Sequence, residues 1–240
     1  DVPLHAFRPL MVKPLAKEAE ETADLINHLI LRSQEILPNH PINLKRVAEG
    51  KDPANSIWPW SPGYRPAMKT MHEMFGIKKG AVISAVDLIR GIGVYAGLEV
   101  INVEGATGLS TTNYEGKAEA AVEALRKNDF VYVHVEASDE AGHDGDVDLK
   151  VKTIEYLDHR LISHIVEATQ DWDEPVAIAV LPDHPTPCAI RTHTATPIPF
   201  LMYKPGIEPD TVKVFDEFSV LNGKYGILQK DEFIKTFLSL

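Results

Sequence analysis

The spacing of apolar positions along this chain changes near residue 66, and the change predicts two regions of different build. From 15 to 37 (LAKEAEETADLINHLILRSQEIL), Leu15, Ala19, Thr22, Ile26, Leu29 and Ile36 recur at helical spacing. The pattern predicts an amphipathic helix stopped by Pro38. A turn follows, then a short helix capped by Asn43, then a loop punctuated by Gly50 and Pro53. The stretch SIWPWSPGYRP reads as a connecting strand or linker. Trp58 and Trp60 alternate there and so face one side, with burial under a helix as their expected role.

Beyond Pro66 short apolar runs alternate with helical patterns. A helix is expected over 66–75, ended by Gly76, and others over 87–98, 111–128, 147–169 and 231–238. Strands are expected at GAVISAV, EVINV, FVYVHV, VAIAVL, PIPFLMY and VKVF. Strands that are apolar on both faces and separated by helices predict an α/β fold: a mostly parallel sheet with helices on both faces. Residues 1–65 then form a small N-terminal appendage and 66–240 the core. No internal repeat or low-complexity tract interrupts the pattern.

Charge narrows the partners. A net charge of −11 over 240 residues argues against a nucleic-acid surface, which needs clustered Lys and Arg. A small anionic substrate stays open, since a local cation can reverse the sign inside a cleft. Cys188 is the single cysteine, so no intrachain disulfide is possible, and a small buried residue is its expected role. No apolar stretch approaches the roughly 20 residues of a membrane span. The opening DVPLHAFRPLMVKP has neither a signal-peptide layout nor an initiator methionine, and a cytoplasmic location is expected.

The chemistry gathers where strands end. In open α/β sheets ligands bind beyond the carboxyl ends of the strands. The run VAIAVL leads into Asp183 and His184, and FVYVHV leads into EASDEAGHDGD, where Gly142 is expected to form a turn that lets Asp139 and His143 converge. His193 returns just before PIPFLMY. Six acids between Glu136 and Asp148 would alone read as a solvated loop. The joint placement of two aspartates and three histidines after two strands favours a metal site instead. Mixed oxygen and nitrogen ligands suit zinc or manganese better than magnesium or calcium. The remaining histidines read as structural or solvated, with His134 a packed, hydrogen-bonded residue inside a strand.

Three segments, VHVEASDEAGHDGD, LPDHPTPCAIRTHTATPIPF and GAVISAVDLIRGIGVYAGLEV, together resemble the archaeal-type cofactor-independent phosphoglycerate mutases of the alkaline phosphatase superfamily. The likeness extends through NHPINLKRVAEGKDPANSIWPW and TTNYEGKAEAAVEALRKNDFVYV, most of the chain from about residue 38. The resemblance implies an alkaline phosphatase-like core and a metal-dependent enzyme interconverting 3-phosphoglycerate and 2-phosphoglycerate without 2,3-bisphosphoglycerate. It implies two divalent ions, one on Asp139, His143 and His193, the other on Asp183 and His184. An early Asp and a serine nucleophile, phosphorylated during transfer, complete the second site in the family.

This chain departs from the family at those last two residues. Ser56, Ser84 and Ser110 lack the strand-turn context of the nucleophile, so the chain reads as the C-terminal part of a longer enzyme. Residues 1–65 then read as the rest of an inserted cap domain with its linker, and this chain alone is expected to be inactive. Arg90 and Lys117 are the cations expected to meet the substrate phosphate. Rival readings are a phosphatase or a homoserine kinase-like enzyme with the same ligands, or a non-catalytic metal-binding module. Oligomeric state is not legible.

Overall fold

A computed structural model describes residues 7–59 and 63–240. The chain divides into two compact units between Arg65 and Pro66. In the first unit, helix α1 (Glu20–Ile36) begins with Glu20 and Glu21, acids that suit the positive end of the helix dipole. Its buried face is Ala23, Ile30 and Ser33. The expected stripe is therefore rotated, since Leu15, Leu29 and Ile36 are exposed. Hydrogen bonds set the buried face. Asn27 exchanges two bonds of 2.9 Å with the backbone of Val12, and Ser33 Oγ accepts the Ile57 amide at 2.9 Å. Two extended segments are thus laid along the helix by polar groups. Trp58 is 40% exposed rather than buried, and Trp60 lies outside the described residues.

Helix α2 (Pro41–Ala48) is capped by His40, whose ring accepts the Ile42 amide, with Pro41 as its first residue. Asn43 is not the cap. It is buried inside the helix, where its amide donates to Leu37 O at 2.7 Å and Ala54 O at 2.9 Å and accepts from Ala54 N at 2.9 Å. Asn43→Ala would leave those backbone groups unpaired, and a loss of about 2 kcal/mol is expected. Hydrogen exchange at the Ala54 amide checks it, with protection falling there and unchanged in the second unit.

In the second unit, helix α3 (Met71–Phe75) starts five residues later than the apolar pattern predicts. Thr70 and Glu73 form a reciprocal capping box that fixes its start, and Gly76 ends it in the left-handed region. Strand β1 (Gly80–Ile83) is wholly buried. It pairs in parallel with β2 (Glu99–Ile101) on one side and β3 (Phe130–Val133) on the other, giving the order β2-β1-β3. Between β1 and β2 runs helix α4 (Asp87–Tyr95). Its Gly93 is where it meets the sheet: a Cβ there would lie 2.5 Å from Val82 Cγ1. Helix α5 (Tyr114–Leu125), capped by Asn113, buries Tyr114, Lys117, Ala118, Ala121 and Ala124 and packs on β1 and β3.

After β3 come helices α6 (Ala137–Asp144) and α7 (Val147–Tyr156). The long helix expected over 147–169 widens at Leu157–Ile162 into a π-helical segment before α8 (Ser163–Thr169). Arg160, in that wider turn, donates to Glu115 at 2.8 Å and lies over the rings of Tyr114 and Tyr156, joining it to α5.

Strand β4 (Ile178–Val180) pairs with β5 (Leu201–Tyr203) in antiparallel register, as a separate two-stranded sheet. A parallel crossover usually runs through a helix that covers the sheet. Residues 181–200 form none, so they return directly. The expected strand VKVF is absent: Asp210 and Asp216 side chains take the amides of Val212, Lys224, Phe218 and Ser219 and turn the backbone there. Helix α9 (Glu232–Leu238) closes the chain. The fold is α/β with a three-stranded parallel sheet. No helix among the described residues is long and apolar enough to cross a membrane.

Candidate metal centre

The carboxyl ends of β1 and β3 lie on one edge of the parallel sheet, and α6 begins three residues past His134. The acidic run is helix here, not the turn expected at Gly142. Ala137 and Ala141 give it a buried side, and Asp139 and Glu140 sit in its first turn, where the dipole favours acids. Asp139 and His143 are therefore one turn apart on the same face. Gly142 serves close approach: a Cβ there would lie 2.3 Å from Thr186 O. The β4–β5 connection crosses α6 at that point, and Lys150 Nζ donates to the same carbonyl at 2.6 Å. The Thr194 amide bonds Pro185 O at 3.1 Å, closing the connection on itself.

Asp139, His143 and His193 thereby converge, each offering a ligand atom within 4.8 Å of the others. His143 Nε2 lies 3.1 Å from His193 Nε2 and 3.3 Å from Asp139 Oδ2, and His193 Nε2 is 3.5 Å from Asp139 Oδ1. Hydrogen bonds fix which ring nitrogens carry lone pairs. His143 Nδ1 faces Arg191 O at 3.1 Å, and a carbonyl only accepts, so the hydrogen is on Nδ1 and the Nε2 lone pair faces the other ligands. Arg191 presents that oxygen from a left-handed backbone, φ 58°, a conformation an L-residue holds at a cost of about 1 kcal/mol. Two bonds of 2.0–2.1 Å at a tetrahedral angle place their donors about 3.3 Å apart. The separations of His143 Nε2 from His193 Nε2 and from Asp139 Oδ2 match that spacing, while His193 meets the other Asp139 oxygen.

Asp183 and His184 join the same cluster. Thr186 Oγ1 donates to Asp139 Oδ1, which leaves its lone pairs for His184 Nδ1 at 3.3 Å. The His184 Nε2 lone pair then faces Asp183 Oδ2 at 3.5 Å. His184 Nδ1 is 3.9 Å from Asp139 Oδ1, and the His184 and His193 rings lie 3.7 Å apart. With neutral imidazoles whose Nε2 atoms are unprotonated, acceptor faces acceptor in both halves, an arrangement a cation can satisfy. A second carboxylate set, Glu136, Asp139 and Glu140, is also close enough for a metal.

Three contributors were not legible as such in the sequence: Thr186, Glu136 and the Arg191 carbonyl. Thr186 follows His184 at the same-side spacing of an extended segment, a signal that could have marked it. His134 is packed and hydrogen-bonded as expected, with Ser84 Oγ 3.3 Å from Nδ1, but Nε2 also reaches Glu136 at 3.5 Å. Burial lowers the His134 pKa. Burial, reinforced by Asp139 and Asp183, raises that of the Glu136 carboxyl. Lys117 is buried beneath the cluster, donating to His134 O at 3.3 Å, and burial lowers its pKa against the pull of Glu136. Among the described residues Arg90 bonds Asn102 at 2.7 Å and Asp87 at 3.3 Å, and no ligand candidate. Cys188 Sγ faces Ala141 O at 3.9 Å, and the residue is in neither group of candidate ligands found among the described residues.

Carboxylates and imidazoles brought together from α6, beyond a parallel strand, and from the β4–β5 connection define the core of a metal-dependent α/β enzyme class. The chain belongs to the Metalloenzyme superfamily, whose sequence profile matches residues 12–233, and the family implies divalent metal binding. It is 53% identical over 222 residues to the 2,3-bisphosphoglycerate-independent phosphoglycerate mutase of Methanosarcina acetivorans, covering 92% of this chain and 55% of that protein. A solved protein of Pyrococcus horikoshii aligns with a TM-score of 0.74 at 36% identity, covering 88% of this chain and 54% of that one. The cofactor-independent phosphoglycerate mutase of Thermoplasma acidophilum aligns with a TM-score of 0.52 at 27% identity, covering 90% and 51%. The chain spans about half the length of the curated relatives it matches.

Proposed function

We propose that this chain supplies the metal-binding part of a cofactor-independent phosphoglycerate mutase, an isomerase interconverting 3-phosphoglycerate and 2-phosphoglycerate in cytoplasmic glycolysis and gluconeogenesis. The observation that carries the reading is the set of facing acceptors: Asp139, His143 and His193 on one side, Asp183 and His184 on the other. These would hold two divalent cations, zinc or manganese by donor type. Bound there, such ions neutralise phosphoryl charge and lower the pKa of a hydroxyl nucleophile.

The chain's own residues orient that centre. Arg191 O and Thr186 Oγ1 fix the tautomers of His143 and His184, so that Nε2 of each is unprotonated. Arg90, one third exposed, is the cation proposed to turn onto the substrate phosphate, with Lys117 adding its charge from beneath. Residues 1–65 are proposed to be the remainder of an inserted cap domain with its linker. The transferring serine is proposed to come from the remainder of the length that the relatives have, so that no bisphosphorylated cofactor is needed.

The test is a coupled assay of 2-phosphoglycerate formed from 3-phosphoglycerate, run with manganese on this chain and on it joined to that remainder. Little or no turnover is expected from the 240 residues alone and metal-dependent turnover from the longer protein. Robust turnover by the shorter chain would contradict the division of labour. A longer protein without metal-dependent turnover would contradict the mutase reading.

A further inference from the structure

His134 stands at the exit of β3 with its side chain only 10% exposed, against 51% for the neighbouring Asp183. A buried imidazole needs partners for both nitrogens. Ser84 Oγ lies 3.3 Å from Nδ1 and already accepts the Val86 amide at 3.0 Å, so its hydroxyl hydrogen is free to donate to Nδ1. His143 and His184 have no such choice, since the Nδ1 partner of His143 is a carbonyl and that of His184 is a hydroxyl whose hydrogen goes to Asp139. With Nδ1 accepting, Nε2 carries a hydrogen, and it faces Glu136 at 3.5 Å and Asp183 Oδ2 at 3.9 Å. The opposite tautomer would aim a lone pair at two carboxylates. The backbone of the residue is held as well, because Lys117 Nζ donates to the His134 carbonyl.

Asp183 lacks any such anchor of its own. Its Oδ1 accepts the adjacent His184 amide at 3.0 Å, and its Oδ2 faces the His184 ring at 3.5 Å on a half-exposed side chain. We propose that His134 is the positioning residue for Asp183. Its Nε2–H docks one lone pair of Oδ2 and leaves the other for the cation shared with His184. At 3.9 Å the pair is not a formed hydrogen bond. The torsion at the end of an aspartate is broad, and a turn of the exposed carboxylate brings it onto the fixed imidazole. The inference rests on the reading of Asp183 and His184 as ligands.

The test reads the histidine ring nitrogens in long-range 1H–15N spectra of the chain during zinc titration. His134 is expected as the Nε2–H tautomer, and zinc is expected to move the His184 signal. His134→Leu raises the zinc Kd read at His184 by about 10- to 100-fold, the usual loss for an outer partner, and leaves His143 and His193 within about 3-fold. His134→Gln, which keeps an N–H donor near the same place, restores the wild-type value to within about 3-fold. Ser84→Ala gives an intermediate loss. If leucine disrupts the strand exit, the contrast between His134→Gln and Ser84→Ala decides in its place. A His134→Leu variant with unchanged His184 response, or an Nδ1–H tautomer, overturns the positioning role alone. No zinc response at His184 in the unsubstituted chain overturns the ligand reading and the proposal with it.

Discussion

His143→Ala is expected to weaken divalent-cation binding by at least about 100-fold, more than the loss of an outer partner costs, with little effect on folding. The imidazole is a third exposed and its bonds run to Arg191 O and the other ligands, so no core packing is lost with it. What disappears is one of three convergent donors and the side-chain bond from α6 to the Arg191 carbonyl. Calorimetric titration with zinc, beside a thermal melt, separates the two effects. A variant that binds zinc normally would remove His143 from the site.

The second large effect is Gly142→Ala, whose sign is diagnostic. In an ordinary exposed helix this change stabilises by about 1 kcal/mol. Here the new Cβ would meet a backbone oxygen, Thr186 O, at 2.3 Å, with Lys150 Nζ at 2.9 Å. Neither the helix nor the Pro-rich connection can yield cheaply, so a destabilisation of about 1–3 kcal/mol is expected. The displaced connection carries His184, Thr186 and His193, so cation affinity should fall as well, although no ligand is altered. Chemical denaturation and zinc titration of this one variant check both. A stabilised variant with normal affinity would show that the crossing is not tight.

The strand-helix alternation after Pro66 was legible because β1 and β3 are apolar on both faces, a pattern only a covered sheet explains. The first unit was less so. Its helix is held by Asn27 and Ser33 bonding distant backbone, and hydrophobic periodicity carries no signal for such bonds. Asn43 misled for the same reason: a residue that favours caps is equally suited to clamp Ala54 from inside a helix. At the site, Asp139, His143, Asp183, His184 and His193 stood out through residue type and position after strands. Which groups aim them did not. The Arg191 carbonyl depends on a left-handed backbone, and Gly142 works by what passes over it. Neither is a property of local sequence.

In the proposed centre two imidazoles and a carboxylate of this chain close on one cation. X-ray absorption at the zinc edge, on the chain loaded with one equivalent, reads that shell. The expected spectrum has the multiple-scattering signature of two imidazoles, reduced to one in His193→Ala, with oxygen completing the shell and no sulfur. A shell of oxygen alone, or one containing the Cys188 sulfur, would contradict it.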